Sequence, residues 1–168
     1  MTPPAIEAVT KSDLDDLLEL EELCFPEPWS RELLAGELEL PRSRRYTKIT
    51  ESGFLAGYLG LMYVDDEIHV NTIATRPGYE GKGIASWLLL DGIEASLLRG
   101  GKHLTLEVAA DNVRAQALYQ RFGLAPVGVR RRYYKGGIDA WVMWCRDLDR
   151  EEEVRRRQEI LDSLGSCS

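Results

Sequence analysis

Three glycines stand directly ahead of a helix in this chain, and their spacing suggests chemistry carried by the backbone. In "RPGYEGKGIASWLLLDGIEAS", residues 76–96, Gly78, Gly81 and Gly83 fall within six positions and run straight into an apolar helical pattern. Glycine allows conformations and close approaches that a Cβ forbids. The first turn of a helix leaves its N–H groups unpaired and carries partial positive charge. A loop of this kind is suited to hold an anion, usually phosphate, on its amides. The same glycines could also serve only to turn the chain, and spacing alone leaves both readings open.

The loop departs from two common nucleotide patterns. A Walker A loop needs Gly-Lys-Ser/Thr, whereas Lys82 is followed by Gly83. A dinucleotide fingerprint needs a third glycine where Ser86 stands. Two further places bring reactive side chains onto defined faces. In "KHLTLEVAA", Leu104, Leu106 and Val108 share one strand face, and Thr105 and Glu107 share the other. Asn112 and Tyr119, seven residues apart, lie on one helix face two turns apart. Taken singly, a strand glutamate is ordinarily solvated and a helix tyrosine ordinarily packed.

The elements that must position these residues follow from periodicity. "IEAV" reads as a first strand. "KSDLDDLLELEELCF" places Leu14, Leu17, Leu18 and Leu20 at helical spacing, with Ser12 as the expected N-cap. Two prolines in "FPEPW" end that helix, and Ser30 caps the next, "RELLAGEL". "RYTKIT", "FLAGYLGLMYV" and "EIHVNTIAT" read as strands joined by hairpins at "ESG" and "DDE". The glycine-loop helix, the strand "KHLTLEVAA" and the helix "DNVRAQALYQRFG" follow, with Asp111 or Asn112 as cap and Gly123 as stop. A hairpin of "APVGVRRRYY" and "IDAWVMWCRDL" closes the pattern. This order predicts an α+β, mixed α/β fold.

Composition bounds the function classes. The 168 residues suggest one domain, and 44% hydrophobic residues suffice for a core. No apolar run approaches the ~20 residues that span a bilayer, and "MTPPAIEAVTKSD" lacks a signal peptide's regions. Cys24, Cys145 and Cys167 are odd in number and lack metal-ligand spacing, which predicts no metal and a reducing, cytoplasmic setting. A net charge of −7 argues against non-specific nucleic-acid binding. Residues 149–168 differ in composition. Glu151, Glu152 and Glu153 each precede an arginine by four residues, which predicts a solvated helix outside a domain of residues 1–148.

Gly83-Ile84-Ala85 after "YEGK", behind the strand "NTIATRP", resembles the pyrophosphate loop of the GNAT acetyltransferase superfamily, Gln/Arg-x-x-Gly-x-Gly/Ala. "ELCFPEPWS", "LEVAADNVRAQALYQRFGL" and "VRRRYY" are similar, in the same order, to segments of the RimI-type ribosomal-protein-alanine N-acetyltransferases. The resemblance covers about residues 6–148. Glu80 departs from it, standing where the family has Gln or Arg. An acid there is unfavourable beside a diphosphate unless its side chain points to solvent.

The resemblance implies a seven-stranded mixed sheet, splayed at its centre around acetyl-CoA and flanked by helices. It implies that backbone groups of Ile73, Ala74 and Thr75 pair with pantetheine amides, although their side chains also read as strand core. It implies that Gly81, Lys82, Gly83, Ile84, Ala85 and Ser86 hold the diphosphate, so that Gly83→Val should weaken acetyl-CoA binding while folding survives. It makes Glu107 the general base and Tyr119 the acid that meets the departing thiolate. Asn112 caps its helix, contacts CoA, or does both. Tyr133 and Tyr134 line a peptide groove opposite Trp29, or pack the hairpin. Adjacent strand residues face opposite ways, so one tyrosine of the pair is expected to touch the peptide.

The implied acceptor is a protein N-terminus, led by a ribosomal protein's N-terminal alanine. A lysine or small-amine acetyltransferase is the alternative on the same fold, and a non-enzymatic acyl-CoA-binding regulator is a third reading. No nucleic acid or membrane partner is expected.

Overall fold

The computed structural model describes residues 2–166; Cys167 lies outside them. Strands β1 (Ile6–Ala8), β2 (Arg44–Glu51), β3 (Phe54–Val64), β4 (Glu67–Thr75), β5 (His103–Ala109), β6 (Ala125–Tyr134) and β7 (Ile138–Cys145) form one seven-stranded sheet in the order β1-β2-β3-β4-β5-β7-β6. Neighbours are antiparallel except β4 and β5, which run parallel. The expected mixed α/β architecture is therefore present.

Helices α1 (Leu14–Cys24) and α2 (Arg31–Leu38) cover one face of the sheet. Leu14, Leu17 and Leu20 recur at helical spacing and are buried with Leu34, Tyr46, Leu55 and Tyr58. Ser30 caps α2 by accepting the Leu33 amide at 3.2 Å. Ser12 does not cap α1. It lies inside a 3-10 turn, Lys11–Asp13, whose entry is fixed by the Thr10 amide donating to Asp13 Oδ2 at 2.8 Å.

Helix α3 (Ile84–Leu98) covers the opposite face and is apolar almost all round. It needs that composition because it is enclosed, by the sheet through Leu59 and Leu61 and by α5 (Glu151–Ser166) beyond it. Helix α4 (Val113–Arg121) follows β5. Asn112 Oδ1 caps it at 3.1 Å from the Ala115 amide, and Gly123 ends it at φ +90°.

The charged C-terminal segment is helical, as its charge spacing suggests, but it is not solvated all round. Glu151–Arg155 and Glu152–Arg156 pair at 3.4 and 3.7 Å on its outer side. The third couple does not pair. Glu153 and Arg157 turn inward and are buried with Ile160 and Leu164. Arg157 donates to the Leu148 carbonyl at 2.9 Å.

Candidate active site

Strands β4 and β5 pair only over Glu67, Ile68 and His69 against His103, Leu104 and Thr105. Beyond that register they diverge, and a cleft of about 1180 Å³ opens between them. The splay that the resemblance implies is thus a short parallel ladder whose far halves have no common partner.

One wall of the cleft comes from β4 and the glycine turn. Ile73, Ala74 and Thr75 line it, followed by Gly81, Gly83, Ile84, Ala85 and Ser86. Gly83 is the N-cap of α3 at φ +76°, in the left-handed region that favours glycine. A Cβ there would also lie 2.6 Å from Leu164 Cδ2. Conformation and contact both oppose a Cβ here, so Gly83→Val is expected to cost stability as well as acetyl-CoA affinity. Lys82 is not in the lining. Its ammonium sits 3.5 Å from Glu51 Oε2 and over the Tyr79 ring. Glu80 is exposed, and its carboxylate turns back on the loop. Hydrogen bonds from its own amide and that of Gly78, the latter 2.7 Å long, hold its carboxyl below the ordinary carboxylate range.

The facing wall comes from β5 and α4. Glu107 lies opposite Val142 of β7 and is 29% exposed at its side chain, with Arg130 Nη2 at 3.2 Å from Oε1. Tyr119 lines the cleft from α4 while only 6% exposed overall. Burial, reinforced by Tyr134, pushes its phenol well above the ordinary tyrosine range, so it stays protonated. Gln116 fixes α4 against the end of β5 by donating to the Ala109 and Ala110 carbonyls, each at 3.0 Å. Asn112 caps the helix and also lines the cleft.

The third part is a rim of side chains. Trp29 lines it from the α1–α2 connection, and its amide donates to Glu21 Oε1 at 3.0 Å. Glu21 is fully buried and also accepts from the Tyr58 hydroxyl at 2.6 Å and Thr72 Oγ1 at 3.1 Å. Three neutral donors satisfy that carboxylate and anchor the loop. Across the rim, Tyr134 lines the cleft while Tyr133 is 49% exposed outside the lining. Simple alternation does not describe the two rings. A bulge sets residues 131–133 against Asp139 alone, with Arg132 at φ +53°. The tyrosines meet edge to face, 5.1 Å between centroids. The Glu107 carboxylate raises the Tyr133 phenol pKa chiefly by hydrogen bonding, while burial pushes Tyr134 up to about 12.

Among the lining groups that were not foreseen from sequence, four bear on the site's chemistry or shape. Glu27 takes the Lys135 amide at 3.3 Å, joining the two sides of the rim. Its place between Pro26 and Pro28 was the available signal. The Cys24 thiol donates to the Thr75 carbonyl at 3.3 Å, and burial pushes it up to about 11. Ser163 and Leu164 enter from α5, whose stripe at residues 153, 157, 160 and 164 has helical spacing but is half charged. Among the described residues no group of three or more His, Cys, Asp or Glu could hold a metal, and no helix is long and apolar enough to cross a membrane.

Comparison with known proteins agrees with this geometry. Residues 14–124 match the Acetyltransferase (GNAT) family. The chain is 37% identical over 148 residues to the N-alpha-acetyltransferase RimI of Mycobacterium tuberculosis, covering 84% of this chain and 91% of that one. It is 32% identical over 143 residues to the [ribosomal protein bS18]-alanine N-acetyltransferase of Escherichia coli K12, covering 82% and 94%. The crystal structure of the ribosomal-protein-S18-alanine N-acetyltransferase from Escherichia coli superposes with a TM-score of 0.78 at 29% identity, over 85% of this chain and 93% of that one. On the strength of this shared sequence, fold and cleft, the chain belongs to the GNAT acetyltransferase family and is an N-acetyltransferase.

Proposed function

We propose that the protein transfers acetyl from acetyl-CoA to the α-amine of a protein N-terminus, in the cytoplasm, with an N-terminal alanine of a ribosomal protein as the leading acceptor. The supporting observation is the splay of β4 from β5, which places a backbone-lined wall, Glu107 and Tyr119 around one cleft. The acceptor class draws on relatives named for that activity.

The residues present suit acetyl-CoA. The amides of the glycine turn and of the first turn of α3 answer a diphosphate. Gly81, at φ +80°, has no atom within 4 Å of where its Cβ would stand, so phosphate oxygens can approach its backbone. Glu80 stands at the edge of the cleft lining, but its carboxylate is occupied by the amides of its own loop.

In the reaction the amine nitrogen attacks the thioester carbonyl carbon, forming the C–N bond as the C–S bond breaks. Glu107 takes the proton that the amine loses. An α-amine has pKa ~7.7–8.0, so a modest base suffices, directly or through water. Tyr119, as the acid of the pair, donates a hydrogen bond to the developing charge on the departing sulfur. Its raised pKa keeps the phenol protonated, so the donor is in place as the C–S bond breaks, and thiolate is already a fair leaving group at ~8.5. Arg130 orients the Glu107 carboxylate from the rim. Trp29 and Tyr134 flank the entering chain end, with Tyr133 at the mouth.

The test is acetyl transfer to a panel of N-terminal peptides, with the modified atom mapped by mass spectrometry. Transfer to free N-termini and its loss on N-formylation are expected. Equal or faster modification of internal lysine would replace this reading with a lysine or small-amine acetyltransferase. Cosubstrate binding without release of CoA for any acceptor would favour a regulator.

A further inference from the structure

The C-terminal helix reaches the cleft at its far end. Ser163 and Leu164 line the same opening as the glycine turn. Leu164 packs so closely on Gly83 that a single added carbon would lie 2.6 Å from its Cδ2. Next to it, Ser163 Oγ accepts from Arg121 Nη2 at 2.5 Å. Arg121 is the last residue of α4 and, with Arg114 and Lys135, supplies the cations that line the cleft among the described residues. One turn of α5 therefore touches both the amide-bearing turn and a cleft cation.

The rest of α5 is fastened well enough to make that contact firm. Ile160 and Leu164 join the main core. Arg157 holds the Leu148 carbonyl. Gly123 lacks a Cβ where Glu153 crosses, and a side chain there would collide with the Glu153 carboxylate. The helix is thus seated against α3 at one edge and against the α4 terminus at the other.

We infer that α5 is a positioning element for the nucleotide end of acetyl-CoA: Leu164 holds the amide turn at Gly83, and Ser163 aims Arg121 at a phosphate of the cosubstrate. This rests on the acetyl-CoA reading above. Donors already fixed in place bind an anion without the cost of ordering them. A fixed cation matters more here because the chain carries a net charge of −7.

The discriminating experiment compares two acetyl donors. Acetyl-CoA carries the diphosphate and nucleotide, and S-acetyl-pantetheine lacks both. Wild type, Leu164→Val and the volume-conserving Leu164→Met are assayed with each donor and one peptide. Leu164→Val should lower kcat/KM with acetyl-CoA about tenfold, 1.4 kcal/mol, and leave kcat/KM with acetyl-pantetheine within about twofold. Leu164→Met should show the same selectivity at smaller amplitude. Ser163→Ala should lower only the acetyl-CoA value. Equal losses with both donors would mean that α5 is merely structural, and no loss with either would mean that it is irrelevant to the site; both overturn the inference. A wild-type protein that uses the two donors equally well would overturn the diphosphate reading itself, a different result from selectivity that survives the substitutions.

Discussion

The two ends of the cleft are built from different materials. At the donor end, the wall is backbone: the exposed edge of β4 and a turn whose glycines have positive φ. At the acceptor end, the wall is side chain: Trp29 and Glu27 on a proline-rich loop, Tyr134 on a bulged hairpin, and Glu107 on β5. A backbone wall suits a cosubstrate that never changes, because amides bind phosphate whatever side chains surround them. A side-chain wall suits an acceptor whose identity must be read. The difference teaches where substitutions should act: on donor use at one end, on acceptor use at the other.

The largest effect that would break this comparison is expected at Glu21. Leucine there removes the acceptor for the Trp29 amide, the Tyr58 hydroxyl and Thr72 in a fully buried place. Stability should fall by about 3 kcal/mol or more, and Glu21→Gln should recover most of it. In the protein that remains folded, peptide KM should rise while acetyl-CoA KM holds. A parallel rise in both would mean that the two walls are not separable.

Gly83→Ala comes next, at the donor end. The φ of +76° and the Leu164 contact both oppose a Cβ, so about 1–2 kcal/mol of strain is expected together with at least tenfold weaker acetyl-CoA binding, or 1.4 kcal/mol. Calorimetry and a thermal melt read the two separately. Unchanged affinity would remove the turn from the site.

Legibility from sequence follows the same division. The donor end could be read because glycines ahead of an apolar helix are a local signal, and because Asn112 and Tyr119, seven residues apart, share a face at the α-helical twist. Ser30, Asn112 and Gly123 acted where local chemistry placed them. Ser12 did not, since a 3-10 lead-in displaced the helix start. The acceptor end was harder. Whether Tyr133 and Tyr134 face apart or together depends on a bulge, and no residue pattern in "VRRRYY" announces one. Helix α5 hid its inner stripe because two of its four positions are Glu153 and Arg157, which read as solvent-facing until Leu148 and Gly123 are seen to receive them.

Smaller effects sharpen the comparison. Asn112→Ala loses the α4 cap and should cost about 1 kcal/mol of stability, read as a lower melting temperature. Lys82→Ala should change acetyl-CoA KM by less than about twofold, since an exposed pair such as that with Glu51 is worth about 0–1 kcal/mol and the side chain lies outside the lining. A large Lys82 effect would add a side-chain contact to the backbone wall.

The central claim is that Glu107 and Tyr119 act on different atoms, the first on the amine and the second on sulfur. A pH–rate profile of wild type, Glu107→Gln and Tyr119→Phe with one peptide tests it most directly. Each substitution should lower the rate around 10²-fold near pH 7. The Glu107→Gln deficit should shrink as pH passes the amine pKa, near ~8, because the acceptor then arrives neutral. The Tyr119→Phe deficit should stay flat to about pH 9 and beyond, because burial raises that phenol above its ordinary ~10 and keeps it protonated. Parallel profiles for the two variants, or full activity of Glu107→Gln at pH 7, would contradict the division of labour.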